Sequence, residues 1–267
     1  MMSLNIIVLV KSVPDPKTPP TLKVDGSLDL KNVKIVVNPI DKYAVEAALQ
    51  LKERYGGKII GLSLGDHDNI DIFREIIAMG VDSFIYIKDP DYQRFDTLQK
   101  SYVLSRAIKK IEKDLGRVDL VLCGVESSDT NMGVLASQIG EWLEIPSISY
   151  VDKILEIKNG SIIVKKIIED GFVTLRSRMP VVLSIADTGY EPRIPSLRDT
   201  IMARRREIPI WKTTDLSLEF RETVLKTVRF KQIESKRLGK IFRDEDVDKM
   251  IDRFFEELKR DGVSLLR

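Results

Sequence analysis

The residues best suited to chemistry form one polar run: Gly124, Val125, Glu126, Ser127, Ser128, Asp129, Thr130, Asn131, Met132, Gly133 and Val134, followed by Leu135. The run follows a strand-like apolar segment at residues 118–123. It leads into an amphipathic helix over about residues 133–143, striped by Leu135, Ile139, Trp142 and Leu143. Ser128, Asp129, Thr130 and Asn131 are all helix-capping types. A helix N-terminus presents unpaired N–H groups and about half a positive charge. A small phosphate can bind there without any lysine. Read alone, the segment fits an ordinary capped loop between strand and helix better than a ligand site. Neither a Walker A pattern nor G-x-G-x-x-G follows the first strand, so the commoner phosphate loops are excluded.

A second polar group lies at Asn38, Pro39, Ile40 and Asp41. Pro39 pushes Asn38 out of helical space, which leaves its amide to bond a base, a ribose or backbone. A simple turn before a helix is the alternative. His67 has no recognisable base or ligand partner and reads as a solvated loop residue, while Cys123 ends a buried strand and reads as structural. One Cys and one His give neither a zinc site nor a triad, so no catalytic residue and no metal site is expected. Hydrolysis would have to use Asp129 or Glu126. A stand-alone nucleotide-binding or nucleotide-hydrolysing protein remains the alternative reading.

Composition narrows the class. Of 267 residues 43% are apolar, enough for a sizeable core, and 31% are charged but nearly cancel to +2. That balance argues against nucleic acid or an anionic membrane as the main partner. A single cysteine forbids an internal disulfide and suits a reducing, cytoplasmic location. The apolar runs are too short for a membrane span, and the opening residues lack signal-peptide pattern.

The elements that must position these groups alternate. Apolar, β-branched runs at residues 5–10, 58–63, 83–88 and 118–123 read as strands buried on both faces. Helical spacing fills residues 43–55, 70–79 and 97–115 between them. This predicts an α/β fold: a doubly wound, mostly parallel, Rossmann-like sheet that binds ligands at its strand C-termini. A hairpin around Asp25 and Gly26 interrupts residues 17–37, and residues 161–168 and 172–178 read as another. Residues 180–185 read as a buried strand and residues 186–209, rich in proline, as loop. A C-terminal arm ends in a helix striped by Val247, Met250, Ile251, Phe254, Phe255 and Leu258. Asp244, Glu245 and Asp246 suit its start, Lys259 and Arg260 its end, and Gly262 its stop. The predicted division is 1–210 for the nucleotide-binding domain and 211–267 for the arm.

Taken in order, these segments resemble the electron transfer flavoprotein beta family. Residues 8–15 (Val-Leu-Val-Lys-Ser-Val-Pro-Asp) are similar to its first strand and turn. Residues 37–49 (Val-Asn-Pro-Ile-Asp-Lys-Tyr-Ala-Val-Glu-Ala-Ala-Leu) follow its Asn-Pro-aromatic-Asp/Glu-x-x-Ala-Val-Glu-x-Ala segment. Residues 77–82, residues 169–182 and the Glu191, Pro192, Arg193, Ile194, Pro195, Ser196, Leu197 run with Ile201, Met202 and Ala203 complete the likeness, which covers about residues 4–210. The resemblance implies an adenine-nucleotide-binding subunit that pairs with an alpha subunit carrying the redox-active FAD. It implies AMP, or a second FAD in electron-bifurcating members, in a pocket lined by Leu9, Asn38 to Asp41, Leu64 and Gly124 to Leu135. It further implies docking of partner dehydrogenases, and of a quinone reductase or other acceptor, by a loop at about 187–206 with Glu191, Pro192, Arg193 and Leu197. Gly133, Val134 and Leu135 stand where AMP-binding members carry Asn-Gln-Thr, and only Asp129 survives from both branches. Ile167 replaces an acidic residue that positions the alpha flavin domain.

Overall fold

In the computed structural model, which describes residues 3–18, 20–29, 31, 33–219, 225, 227–228, 230–231, 239–243 and 246–262, the β-branched runs form strands and the 3.6-periodic segments form helices. The chain opens with β1 (Leu4–Leu9). Two small ribbons are inserted next: β2 (Ser12–Pro14) pairs with a later strand, and β3 (Thr21–Leu22) pairs with β4 (Leu28–Asp29). Gly26, at a φ of 78°, turns the β3–β4 hairpin. β5 (Ile35–Val37) closes the insertion on β2. Then come α1 (Asp41–Tyr55), β6 (Gly57–Gly65), a 3-10 turn running into α2 (Arg74–Met79), and β7 (Ser83–Lys88). α3 (Thr97–Leu115), β8 (Leu120–Gly124) and α4 (Leu135–Leu143) follow. Asp96 caps α3 by accepting from the Gln99 amide at 2.9 Å.

The second half adds β9 (Ser147–Lys158), β10 (Ser161–Ile168), β11 (Gly171–Arg178), β12 (Val181–Ile185), α5 (Leu197–Arg204) and β13 (Ile210–Lys212). α6 (Val247–Arg260) ends the described chain. Among the described residues one nine-stranded sheet runs β11-β10-β9-β12-β8-β1-β6-β7-β13. All its neighbours pair in parallel except the two pairs made by β10.

Helices cover both faces of the parallel part. Ala44, Ala47 and Ala48 of α1 and Ile76 of α2 join Ile6, Val8 and Leu122 in one core; Val103 and Ala107 of α3 and Ile139 of α4 join Ile7, Leu9 and Leu62 in the other. The small alanines let α1 lie close on the sheet. From β1 the chain winds outward through β6 and β7, then returns to β8 on the other side of β1. The winding therefore reverses between β1 and β8, and a doubly wound sheet opens a crevice at that point.

Some elements differ from expectation. Residues 147–158 form a long strand, β9, whose register shifts against both neighbours break the alternation that would have revealed it. Residues 197–204 form α5 within the expected loop. The sheet also runs past residue 210: β13 pairs with β7, and Leu216 is buried beyond it. The chain divides into two compact units, 1–230 and 231–267. In the second unit Asp246 accepts from the Asp248 amide at 3.0 Å at the start of α6. Gly262 follows the helix at a φ of 78°. Asp244 and Glu245, expected to favour that start, lie outside the described residues. Among the described residues no helix is long and apolar enough to cross a membrane.

Candidate functional site

The crevice between the ends of β1 and β8 is built on one buried carboxylate. Asp41, the first residue of α1, accepts from the Lys11 amide at 2.7 Å and from the Gly124 amide at 3.2 Å. It thereby ties the two strands where they part. Burial pushes its carboxyl up to about 7, against the pull of the amide donors. Gly124 is needed for this: a Cβ there would meet Asp41 Oδ1 at 2.6 Å and the Asp41 amide at 3.1 Å.

Asn38 shapes the loop after β8. Its Nδ2 donates to the Glu126 carbonyl at 3.0 Å, and its Oδ1 accepts from the Ser128 amide at 3.2 Å. The side chain is fully buried, so its amide serves the protein backbone. Pro39 is exposed, and Ile40 packs beside Gly124.

At the rim, Lys11 Nζ reaches both oxygens of Asp129, at 2.6 and 2.7 Å, and Ser127 Oγ at 3.1 Å. Burial opposes charge on Asp129, yet Lys11 and Ser127 hold its carboxyl below the usual range. None of Ser128, Asp129, Thr130 or Asn131 caps α4, contrary to expectation. The helix starts two residues late because Gly133 is left-handed, at a φ of 64°, and its N-cap, Val134, offers no side-chain acceptor. The leading N–H groups of α4 thus keep their partial positive charge.

These groups enclose a cleft. Leu9, Val10 and Lys11 line it from β1 and its end, Leu62, Ser63 and Leu64 from β6, and Cys123 and Gly124 from β8. Asp41, Val125, Glu126, Ser127, Thr130, Met132, Gly133, Val134 and Leu135 form its loop side. Tyr92, Thr97, Lys100 and Leu104 form the wall beside α3. Among the sequence candidates Asn38, Pro39, Ile40, Ser128, Asp129 and Asn131 stand outside the lining, as supports or rim. The buried hydroxyls of Ser63 and Ser128 have no partner among the described residues, so polar groups are left over on and beside this cleft. The donor set fits an anion capping an apolar body: two lysines, an uncapped helix start and leucine walls.

Lys11, Lys100, Tyr92 and Thr97 were not singled out from sequence. Lys11 had a usable signal, since it follows the first strand at the ligand edge. Lys100 had another: it sits in the first turn of a helix, where the dipole favours acids. Cys123 is buried, and burial pushes its thiol up, as its structural reading requires. His67 is not solvated: Nε2 lies 2.8 Å from Ser12 Oγ, and its ring packs on Phe73 and Tyr86. Burial holds its pKa below the usual value. Among the described residues no cluster of His, Cys, Asp and Glu could hold a metal ion.

The expected docking loop has its own geometry. Ile194 is 93% exposed and Leu197 78%, and Ile201 and Met202 continue the patch along α5. Glu191 is exposed and Pro192 half-buried. Arg193 faces inward: it donates to Glu46 through Nε at 2.8 Å and Nη2 at 2.9 Å, and to Glu53 through Nη1 at 2.6 Å. Arg74 donates to the carbonyls of Ala203 at 3.0 Å and Arg206 at 2.6 Å, holding the end of α5.

Residues 27–216 match the family model described as electron transfer flavoprotein domain. The electron transfer flavoprotein subunit beta of Thermoanaerobacterium thermosaccharolyticum is 32% identical over 245 residues, 90% of this chain and 92% of its own. That of Megasphaera elsdenii is 35% identical over 209 residues, 77% of each chain. Protein FixA of Azorhizobium caulinodans is 29% identical over 218 residues, 81% of this chain and 78% of its own.

Proposed function

The chain belongs to the electron transfer flavoprotein family, and from this premise we propose that it is the beta subunit of a heterodimer, holding an adenine nucleotide while an alpha subunit carries the working FAD. The observation that carries the nucleotide reading is the cleft at the switch point, where Lys11, Lys100 and the uncapped start of α4 gather around leucine walls. An adenylate group, from AMP or from a second FAD, has the matching chemistry: a flat apolar base and an anionic end. Leu9, Leu64, Leu104 and Leu135 would enclose the base, and the backbone of residues 133–135 would take the phosphate on the cleft's basic side. The flavin would supply the redox chemistry, and this chain position and partner choice.

A hydrolytic role is poorly supported, because Asp129 is already bound to Lys11. The exposed apolar residues on β10 and β11, Ile168, Phe172 and Leu175, fit cover by the alpha subunit. The patch of Ile194, Leu197, Ile201 and Met202 fits docking of dehydrogenases or an acceptor. The stripe of α6, none of whose residues is buried, fits an arm laid on the partner. The test is mass spectrometry of the denatured, purified complex. Stoichiometric AMP, or FAD at two per heterodimer, is the expected result; its absence from both would reject a nucleotide in this cleft.

A further inference from the structure

The lysine on the α3 side of the cleft is in an unfavourable place for a cation. Lys100 lies in the first turn of α3, where the helix dipole repels positive charge. Its Nζ stands 4.1 Å from the centre of the Tyr92 ring, and the side chain lines the cleft. It makes no ion pair among the described residues, whereas Lys11, across the same cleft, is matched by Asp129. Burial first, and then Lys11, lower its pKa to about 8, with Asp129, Asp66 and Asp96 opposing. Apart from the face of the Tyr92 ring, which attracts a cation, this ammonium has no counter-charge in contact among the described residues, and its desolvation beside a second lysine costs stability. A sequence keeps such a local conflict where a ligand resolves it.

We propose that Lys100 is the anion-recognition residue of this cleft, pairing directly with a phosphate group of the bound nucleotide. The inference rests on the nucleotide reading above and extends it: charge recognition comes from α3, on the wall facing the loop of residues 124–135. This accounts for Gly133, Val134 and Leu135, which offer no side-chain donor to a phosphate. Lys11 is left to hold the loop through Asp129 and Ser127.

The test is calorimetric titration of the full-length chain, stripped of co-purified nucleotide, with AMP and with adenosine. The unaltered chain should prefer AMP by roughly tenfold or more, the scale of one charge-assisted hydrogen bond. Lys100→Met should lose most of that preference, the α4 start alone remaining for the phosphate, and Lys100→Arg should retain it. AMP affinity of the unaltered chain should fall as pH rises through about 8, because the free lysine then loses its proton, and should fall more steeply than that of Lys100→Arg, which keeps only the effect of Asp41, a carboxyl of the same cleft that burial raises to about 7. Equal AMP affinity in the unaltered and Lys100→Met chains would overturn the role of Lys100 alone. Failure of the unaltered chain to bind either ligand would overturn the nucleotide reading, and this inference with it. If Lys100→Met does not fold, a pH profile shared by the unaltered and Lys100→Arg chains would overturn the proposal.

Discussion

Replacing Arg193 by alanine should destabilise the chain itself before it touches any partner. The guanidinium makes a two-pronged bond to Glu46, whose side chain is only 4% exposed, and a third bond to Glu53. Removing one partner of a fully buried pair costs about 3–5 kcal/mol. Arg193 is 36% exposed, so water can replace part of its contribution, and the Gln50 amide still donates to Glu46 at 2.9 Å. The expected loss is therefore about 2–3 kcal/mol. Burial works against the charge of Glu46, yet the bonds from Arg193 and Gln50 hold its pKa below 4.5. That contribution is fully present above the unfolded pKa and fades as pH falls through the lower folded value. Without Arg193 the burial of the Glu46 carboxylate is offset by the Gln50 amide alone. The deficit of the variant should then be largest near neutral pH and shrink in acid. Urea denaturation at about pH 7 and at a pH below 4.5 reads both effects. A deficit below about 0.5 kcal/mol, or one identical at the two pH values, refutes this reasoning and returns Arg193 to direct partner contact.

Leu197→Ala should leave urea stability and nucleotide content unchanged, since the side chain is 78% exposed. Losing about three buried carbons on docking should weaken electron exchange with a partner dehydrogenase by about 2 kcal/mol, roughly 30-fold, and parallel loss of stability would make the residue structural instead. Deleting residues 244–267 should abolish co-purification with the alpha subunit, because the α6 stripe would go with them; unchanged co-purification rejects the arm.

Much of the scaffold was legible because its signals are local. β7, α3 and β10 have the bounds their periodicity predicts, since each buries a regular set of side chains. α5 escaped because Leu197, Ile201 and Met202 face outward, leaving no core-facing stripe to detect. Its start was nevertheless marked: Ser196 accepts from the Asp199 amide at 3.1 Å, a cap pattern visible in the sequence. Asn38, Asp41 and the loop after β8 were recognised, but the tasks of Asn38 and Asp41, holding backbone together, depend on contacts between distant parts of the chain. The same holds for Arg193 with Glu46 and for Lys11 with Asp129. No spacing rule pairs such residues; only the winding of the sheet brings them together.

The contact between Gly124 and Asp41 also limits how this sequence can drift. Any side chain at 124 collides with the carboxylate, while shortening residue 41 strands the two amides it accepts from. Each single step is penalised, so the two positions are locked into joint inheritance. A descendant can keep both or must replace both, and a lone exchange at either one marks a strand junction that has been rebuilt.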